Sequence, residues 1–78
     1  MDASRLKREI QTMPEEMRLA LEVRGVMAAY QARPPYQQND YIAWITRGKL
    51  AATRAKRMQQ MLDELEAGGV YMHMKWGG

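Results

Sequence analysis

The 78-residue chain contains no cysteine and no phenylalanine, and only one histidine and three prolines. Without cysteine there is neither a disulfide nor a thiolate metal site, and a reducing compartment is the default expectation. No apolar run approaches the roughly 20 residues of a membrane span. The opening MDASRLKREI carries charges where a signal peptide needs an apolar region. The chain is therefore read as cytoplasmic, without membrane insertion. Hydroxyls are scarce too: Ser4, Thr12, Thr46 and Thr53 are the only ones besides the tyrosines. With His73 far from them in sequence, they suggest no nucleophile–base pair. Glu15–Glu16 and Asp63–Glu64 are adjacent carboxylates that diverge on a helix, so they make poor acid/base pairs. No enzymatic activity and no cofactor are expected.

What the chain does contain is 46% hydrophobic and 27% charged residues, the balance of a globular domain. A domain of this length buries about 60–65% of its unfolded surface, enough for a small core but not for a deep cleft. Eight methionines supply an adaptable core filler. The net charge of +3 is unevenly placed. Residues 1–40 balance six Lys/Arg against six acids, so the excess lies entirely from Tyr41 onward.

Hydrophobic periodicity predicts an all-α fold, a small orthogonal bundle of four to five short helices with an extended C-terminal tail. Ala3, Leu6, Ile10 and Met13 mark a helix over about 3–12. Pro14, Glu15 and Glu16 suit the first turn of a second helix, about 14–24, with Met17, Ala20 and Leu21 as its stripe. Val23, Val26, Met27 and Tyr30 repeat at helical spacing but out of phase, which calls for a break near Arg24–Gly25 and a helix over 25–32. RPPY, Arg33–Tyr36, ends that segment. A fourth helix, about 37–48, places Gln37, Tyr41, Trp44, Ile45 and Gly48 on one face. A fifth, about 53–67, starts with Thr53 as N-cap and carries Ala55, Met58, Met61, Leu62 and Leu65. The predicted core is Met17, Leu21, Met27, Tyr41, Trp44, Ile45, Met58, Met61, Leu62 and Leu65. In residues 70–76 apolar Val70, Met72, Met74 and Trp76 alternate with Tyr71, His73 and Lys75, the pattern of a strand with one buried face. His73 is read as an outward residue of that strand rather than a metal ligand, so no metal site is expected.

The stretch WITRGKLAATRAKRMQQML holds Arg47, Lys49, Arg54, Lys56 and Arg57 without one acid. At 100° per residue these cations scatter: Arg54 projects into the apolar stripe, Arg57 borders it, and Lys56 points away. A recognition helix would present its basic residues along one outward face. Arg54, Lys56 and Arg57 also begin a helix that ends in Asp63, Glu64 and Glu66, so both ends oppose the helix dipole. Compensation is expected from an Asp40–Arg54 ion pair, from a carbonyl contact of Arg54 at the helix junction, or from an anion near Thr53 and Arg54. Arg47, Lys49, Thr53, Arg54, Lys56 and Arg57 are therefore the candidate anion- or partner-binding residues.

The constellation Tyr41, Ile42, Trp44, Ile45, Lys49, Thr53, Arg54, Lys56, Arg57, Met61 and Leu62, with MPEEMRLAL and RPPY upstream, resembles the C-terminal helical domain of the YdeI/OmpD-associated, bacteriocin-protection family. The resemblance spans roughly residues 12–76. It departs at Tyr36, Gly48 and Ala51, where the family tends towards a small capping residue, an alanine and a proline. It implies an all-helical domain linked to bacteriocin protection or envelope association, and carries no catalytic residues. The functional expectation is a small cytoplasmic interaction domain whose partner is a protein or a second copy. The alternative is weak, non-specific nucleic-acid or small-anion binding through the basic hairpin.

Overall fold

The computed structural model describes residues 12–77. The helix expected over 3–12 lies outside the described residues, except for Thr12. Within them, four helices and a two-stranded sheet follow in order: α1 Glu15–Arg24, α2 Met27–Ala32, α3 Pro35–Thr46, α4 Ala51–Ala67, β1 Val70–Tyr71 and β2 Met74–Lys75. The described chain is thus mostly helical, as its periodicity predicts, but it also carries a small sheet that was not expected.

Prolines and glycines punctuate these elements. The Pro14 carbonyl receives the amides of Met17 and Arg18 to open α1, and Glu15 and Glu16 occupy its first turn, where the dipole favours anions. Gly25 ends α1 in the left-handed conformation, φ 78°. Its N–H donates to Glu22 and that of Val26 donates to Leu21 across the end of the helix, a closure that needs a residue without a Cβ penalty. The chain therefore turns at the out-of-phase point between the two stripes. Pro34 forces Arg33 into extended backbone, ψ 151°, which stops α2. Pro35 then starts α3 immediately, since its fixed φ suits a first helical position.

Three helices depart from their expected bounds by two residues, α2 among them, which starts at Met27 rather than 25 because Gly25 is left-handed. α3 runs Pro35–Thr46 rather than 37–48, because Pro35 enters the helix at once. At its far end the Thr46 hydroxyl turns back to the Ile42 carbonyl at 2.8 Å. α4 begins at Ala51 with Leu50 at the cap position, so Thr53 is not the N-cap. Ala51 and Ala52 are strong helix formers that extend the start by two residues, and the Leu50 carbonyl takes the Arg54 amide.

The tail is not one strand. β1 and β2 pair antiparallel, Val70 with Lys75 and Tyr71 with Met74, about a two-residue turn in which Met72 and His73 have φ 50° and 67°. Positive φ at both central positions is the hairpin turn whose twist matches the strands, normally reserved for Asn and Gly. Period-two spacing holds for the extended pairs Val70–Tyr71 and Met74–Lys75, but the single buried face it implies does not form. The turn at Met72–His73 leaves Met74 58% exposed and brings Tyr71 against the core.

The core joins Met17 and Leu21 of α1, Val26 just before α2, Tyr30 of α2, Tyr41, Ile42 and Ile45 of α3, and Met61, Leu62 and Leu65 of α4. The long α4 packs against each other helix and against β1. Of the predicted core, Met27, Trp44 and Met58 sit at its margin, partly buried. Val23, placed in the second stripe by its spacing, is 87% exposed, because the break at Gly25 leaves it on the outer face of α1.

Candidate functional site

Among the described residues, four polar side chains lie buried with the core: Arg33, Gln37, Gln38 and Glu64. Burying such groups is costly unless each finds partners, and here each does. The Glu64 carboxylate accepts four hydrogen bonds. Oε1 takes the Tyr41 hydroxyl at 2.5 Å and the Met72 amide at 2.9 Å; Oε2 takes the His73 amide at 2.8 Å and the Gln60 side chain at 3.0 Å. Four bonds fill a carboxylate. Burial works to raise the Glu64 pKa, but the bonds from Tyr41, the His73 and Met72 amides and Gln60 outweigh it and hold the group below its ordinary value. Tyr41 moves the other way: burial first, then the neighbouring Glu64, strongly disfavours its phenolate.

Arg33 works alongside. It donates to the Gln37 side chain at 2.9 Å, to the Glu64 carbonyl at 3.3 Å and to the Val70 carbonyl at 2.9 Å. Its guanidinium also lies 4.4 Å from the Trp76 ring centre, a cation–π contact. Arg33 and Glu64 thus grip the hairpin backbone from opposite polarity, one through a carbonyl and the other through two turn amides. Tyr71 completes the attachment. Its ring stands edge-on to Tyr41 at 5.6 Å and to Tyr36 at 6.1 Å, and its hydroxyl donates to Asp40.

That last contact corrects the expected Asp40–Arg54 ion pair. Asp40 faces the hairpin, and Arg54 instead donates to the carbonyls of Gly48 at 2.7 Å and Lys49 at 3.2 Å. The guanidinium crosses the α3–α4 turn over Gly48, where an added Cβ would come within 3.0 Å of the Arg54 side chain. Arg57 donates to the Trp44 carbonyl at 2.6 Å and lies 5.4 Å from that tryptophan's ring centre. Two of the five cations therefore serve carbonyls at the end of α3 that the helix cannot satisfy itself. The side chains of Arg47, Lys49 and Lys56 engage no hydrogen bond or ion pair among the described residues and remain exposed, while Thr53 is half-buried.

The acids at the end of α4 are matched as well. Arg24 pairs with Asp63 at 2.6 Å and Glu66 at 2.8 Å, and its guanidinium holds both carboxyls below their usual values. The acids at the end of α4, and Arg54 and Arg57 of the three cations at its start, thus find partners within the chain.

Beside this framework a groove of about 530 Å³ runs between the outer face of α4 and the hairpin. Lys56, Gln59, Gln60 and Asp63 line one wall, and Val70 and His73 the other. Glu64 lies at its edge but is saturated, so it has no lone pair left for a general base. Among the described residues no group of three His, Asp or Glu could hold a metal ion. Of the binding residues expected from the sequence, only Lys56 lines this groove. Gln37 lies on the core face its spacing gave it, whereas Arg33, Gln38 and Glu64 were missed because polar residues are assigned to the surface by default. Arg33 in RPPY and Glu64 within the α4 stripe carried the one available signal, a charge at an apolar phase.

Together these features define a small helical domain closed by a C-terminal hairpin, with a polar anchor beneath it. The family described as bacteriocin-protection, YdeI or OmpD-associated, matches residues 11–68, and the chain belongs to it. No curated protein and no solved structure gives a significant match.

Proposed function

We propose that the chain is a small interaction domain, acting in the cytoplasm, whose α4–hairpin face meets a protein partner in bacteriocin protection or envelope association. The observation that carries this reading is the groove between α4 and the hairpin. It is open, its walls are built from the long α4 and an anchored turn, and its accessible groups are Lys56, unpaired among the described residues, amides and an imidazole. Met74 and Tyr36, 58% and 57% exposed, extend apolar surface around the same hairpin, and exposed apolar surface beside polar rims is typical of contact sites. Family membership supplies the biological link. Among the described residues no helix is long and apolar enough to cross a membrane.

The test is capture with the full chain in a bacterium that carries it, comparing the native protein with Lys56→Glu. One protein retained by the native chain, lost with Lys56→Glu and binding again when purified supports the reading. Equal retention by both, or a bacteriocin challenge in which the chain makes no difference to survival, overturns it. Nucleic-acid binding is the weaker alternative, because Arg54 and Arg57 are committed to internal carbonyls.

A further inference from the structure

The hairpin is recognised as a ligand would be. Its main-chain contacts with the helical body are directional and carried by three side chains: Arg33 to the Val70 carbonyl, and Glu64, supported by Tyr41, to the Met72 and His73 amides. A buried carboxylate taking two consecutive turn amides selects a tight turn, not any extended peptide. The rings of Tyr71 and Trp76 then fill the flanks, against Tyr41 and Arg33 respectively. Between body and hairpin lie only Gly68 and Gly69, both exposed. Gly68 has φ 88° and open space where a Cβ would stand, so this link turns by backbone rotation alone.

We propose that the Arg33–Tyr41–Glu64 pocket is a binding site for a tight-turn peptide, and that its partner in trans is the hairpin of a second copy of this chain, exchanged reciprocally about Gly68–Gly69. The argument for a second copy is complementarity already visible in the closed chain. A second copy offers the same Val70 carbonyl, the same turn amides and the same aromatic rings, so exchange keeps every bond and changes only the link. Reciprocal exchange gives a closed two-fold dimer at low energetic cost. The proposal rests on the interaction reading above in taking the chain as an interaction domain, and it assigns a site beneath the hairpin, beside the groove.

Sedimentation of the native chain and of Gly68→Ala, from micromolar to millimolar concentration, provides the first test. Alanine is strained at this positive φ, which penalises the closed link and favours continuation of α4. Two relieved links per dimer are expected to tighten dimerisation about 30-fold or more. The second measurement mixes two full-length variants, isotope-labelled Glu64→Ala with its hairpin intact and unlabelled Trp76→Ala with its anchor carboxylate intact. Slow amide exchange at Met72 and His73 of the labelled chain is expected only in the mixture. Monomers at every concentration for both native and Gly68→Ala chains overturn the exchange, as does a dimer whose mixture leaves those amides fast. Either failure leaves partner capture sensitive to Lys56→Glu as a separate result, so the two readings fall independently.

Discussion

Glu64 sits where a leucine-like side chain would suit the α4 stripe, yet it organises more of the structure than any apolar residue around it. Its four donors come from α3, α4 and the turn, so removing the carboxylate strands the hydroxyl of Tyr41 and two amides. Glu64→Ala is expected to cost at least about 3 kcal/mol, since bonds to a charged group contribute about 1.5–3 kcal/mol each. Hydrogen exchange should show Met72 and His73 losing protection before the α1–α4 core does. The same group sets an acid limit. Its folded pKa lies below its ordinary value of 4.5, so its contribution is complete above 4.5 and is lost as pH falls through the lower folded value. Acid titration followed at the Met72 and His73 amide resonances should report this release of the hairpin. The opposite sign holds for Tyr30, whose phenol is pushed by burial up to about 12. Its contribution is whole below 10 and disappears as pH rises towards 12, and alkaline unfolding followed by circular dichroism checks it.

At the level of elements, helix ends are finished by side chains from elsewhere in the chain. The Gln38 amide bonds the carbonyls of Gln31 and Arg33 at the end of α2, Arg57 bonds Trp44 near the end of α3, and Arg33 bonds the Glu64 carbonyl in α4. None of these four helices has a side-chain N-cap bond, so stability gained at termini comes mostly from these donors. Arg57→Ala should therefore lower stability by about 1–2 kcal/mol by leaving the Trp44 carbonyl without its partner, measured by urea denaturation. Gly25→Ala is expected to cost about 1–2 kcal/mol, because the αL closure of α1 penalises a Cβ; thermal melting checks it. The tail required the same kind of support. A Met-His turn at positive φ would be unfavourable in isolation, and it persists where Glu64 receives its amides.

At the scale of the whole described structure, the basic stretch offers fewer free cations than its sequence advertises. With Arg54 and Arg57 turned inward, Arg47, Lys49 and Lys56 are left in the basic stretch for any polyanion. If all three met phosphates, the affinity for duplex DNA would fall with salt at a slope no steeper than about −2.7, from about −0.9 per contact. Titration across ionic strengths is expected to show no sequence preference; a steeper slope would mean that cations beyond these three, such as exposed Lys75, also meet phosphates. Residual charge on this surface acts by weak, long-range attraction. The specific contacts of the chain lie instead around α4 and the hairpin.

Sequence alone determined the helices, because apolar spacing, proline and glycine act locally: the stop at Pro34, the break at Gly25 and the stripe Met61–Leu62–Leu65 all depend on near neighbours. It also carried the family, through the Trp44–Arg57 constellation, and the misfit of charges at both ends of α4. Tertiary structure decided what resolves that misfit. Whether Arg54 meets Asp40 or a carbonyl depends on how α3 and α4 turn about Gly48, and whether Tyr71 takes Asp40 depends on where the tail folds back. The pocket of Arg33, Tyr41 and Glu64 gathers residues from three separated segments, and although Tyr41 reads as a core residue, nothing in the sequence joins it to the two charges. Burial gives them their meaning, because a polar group removed from water must find partners, and only the packed chain determines which ones are within reach.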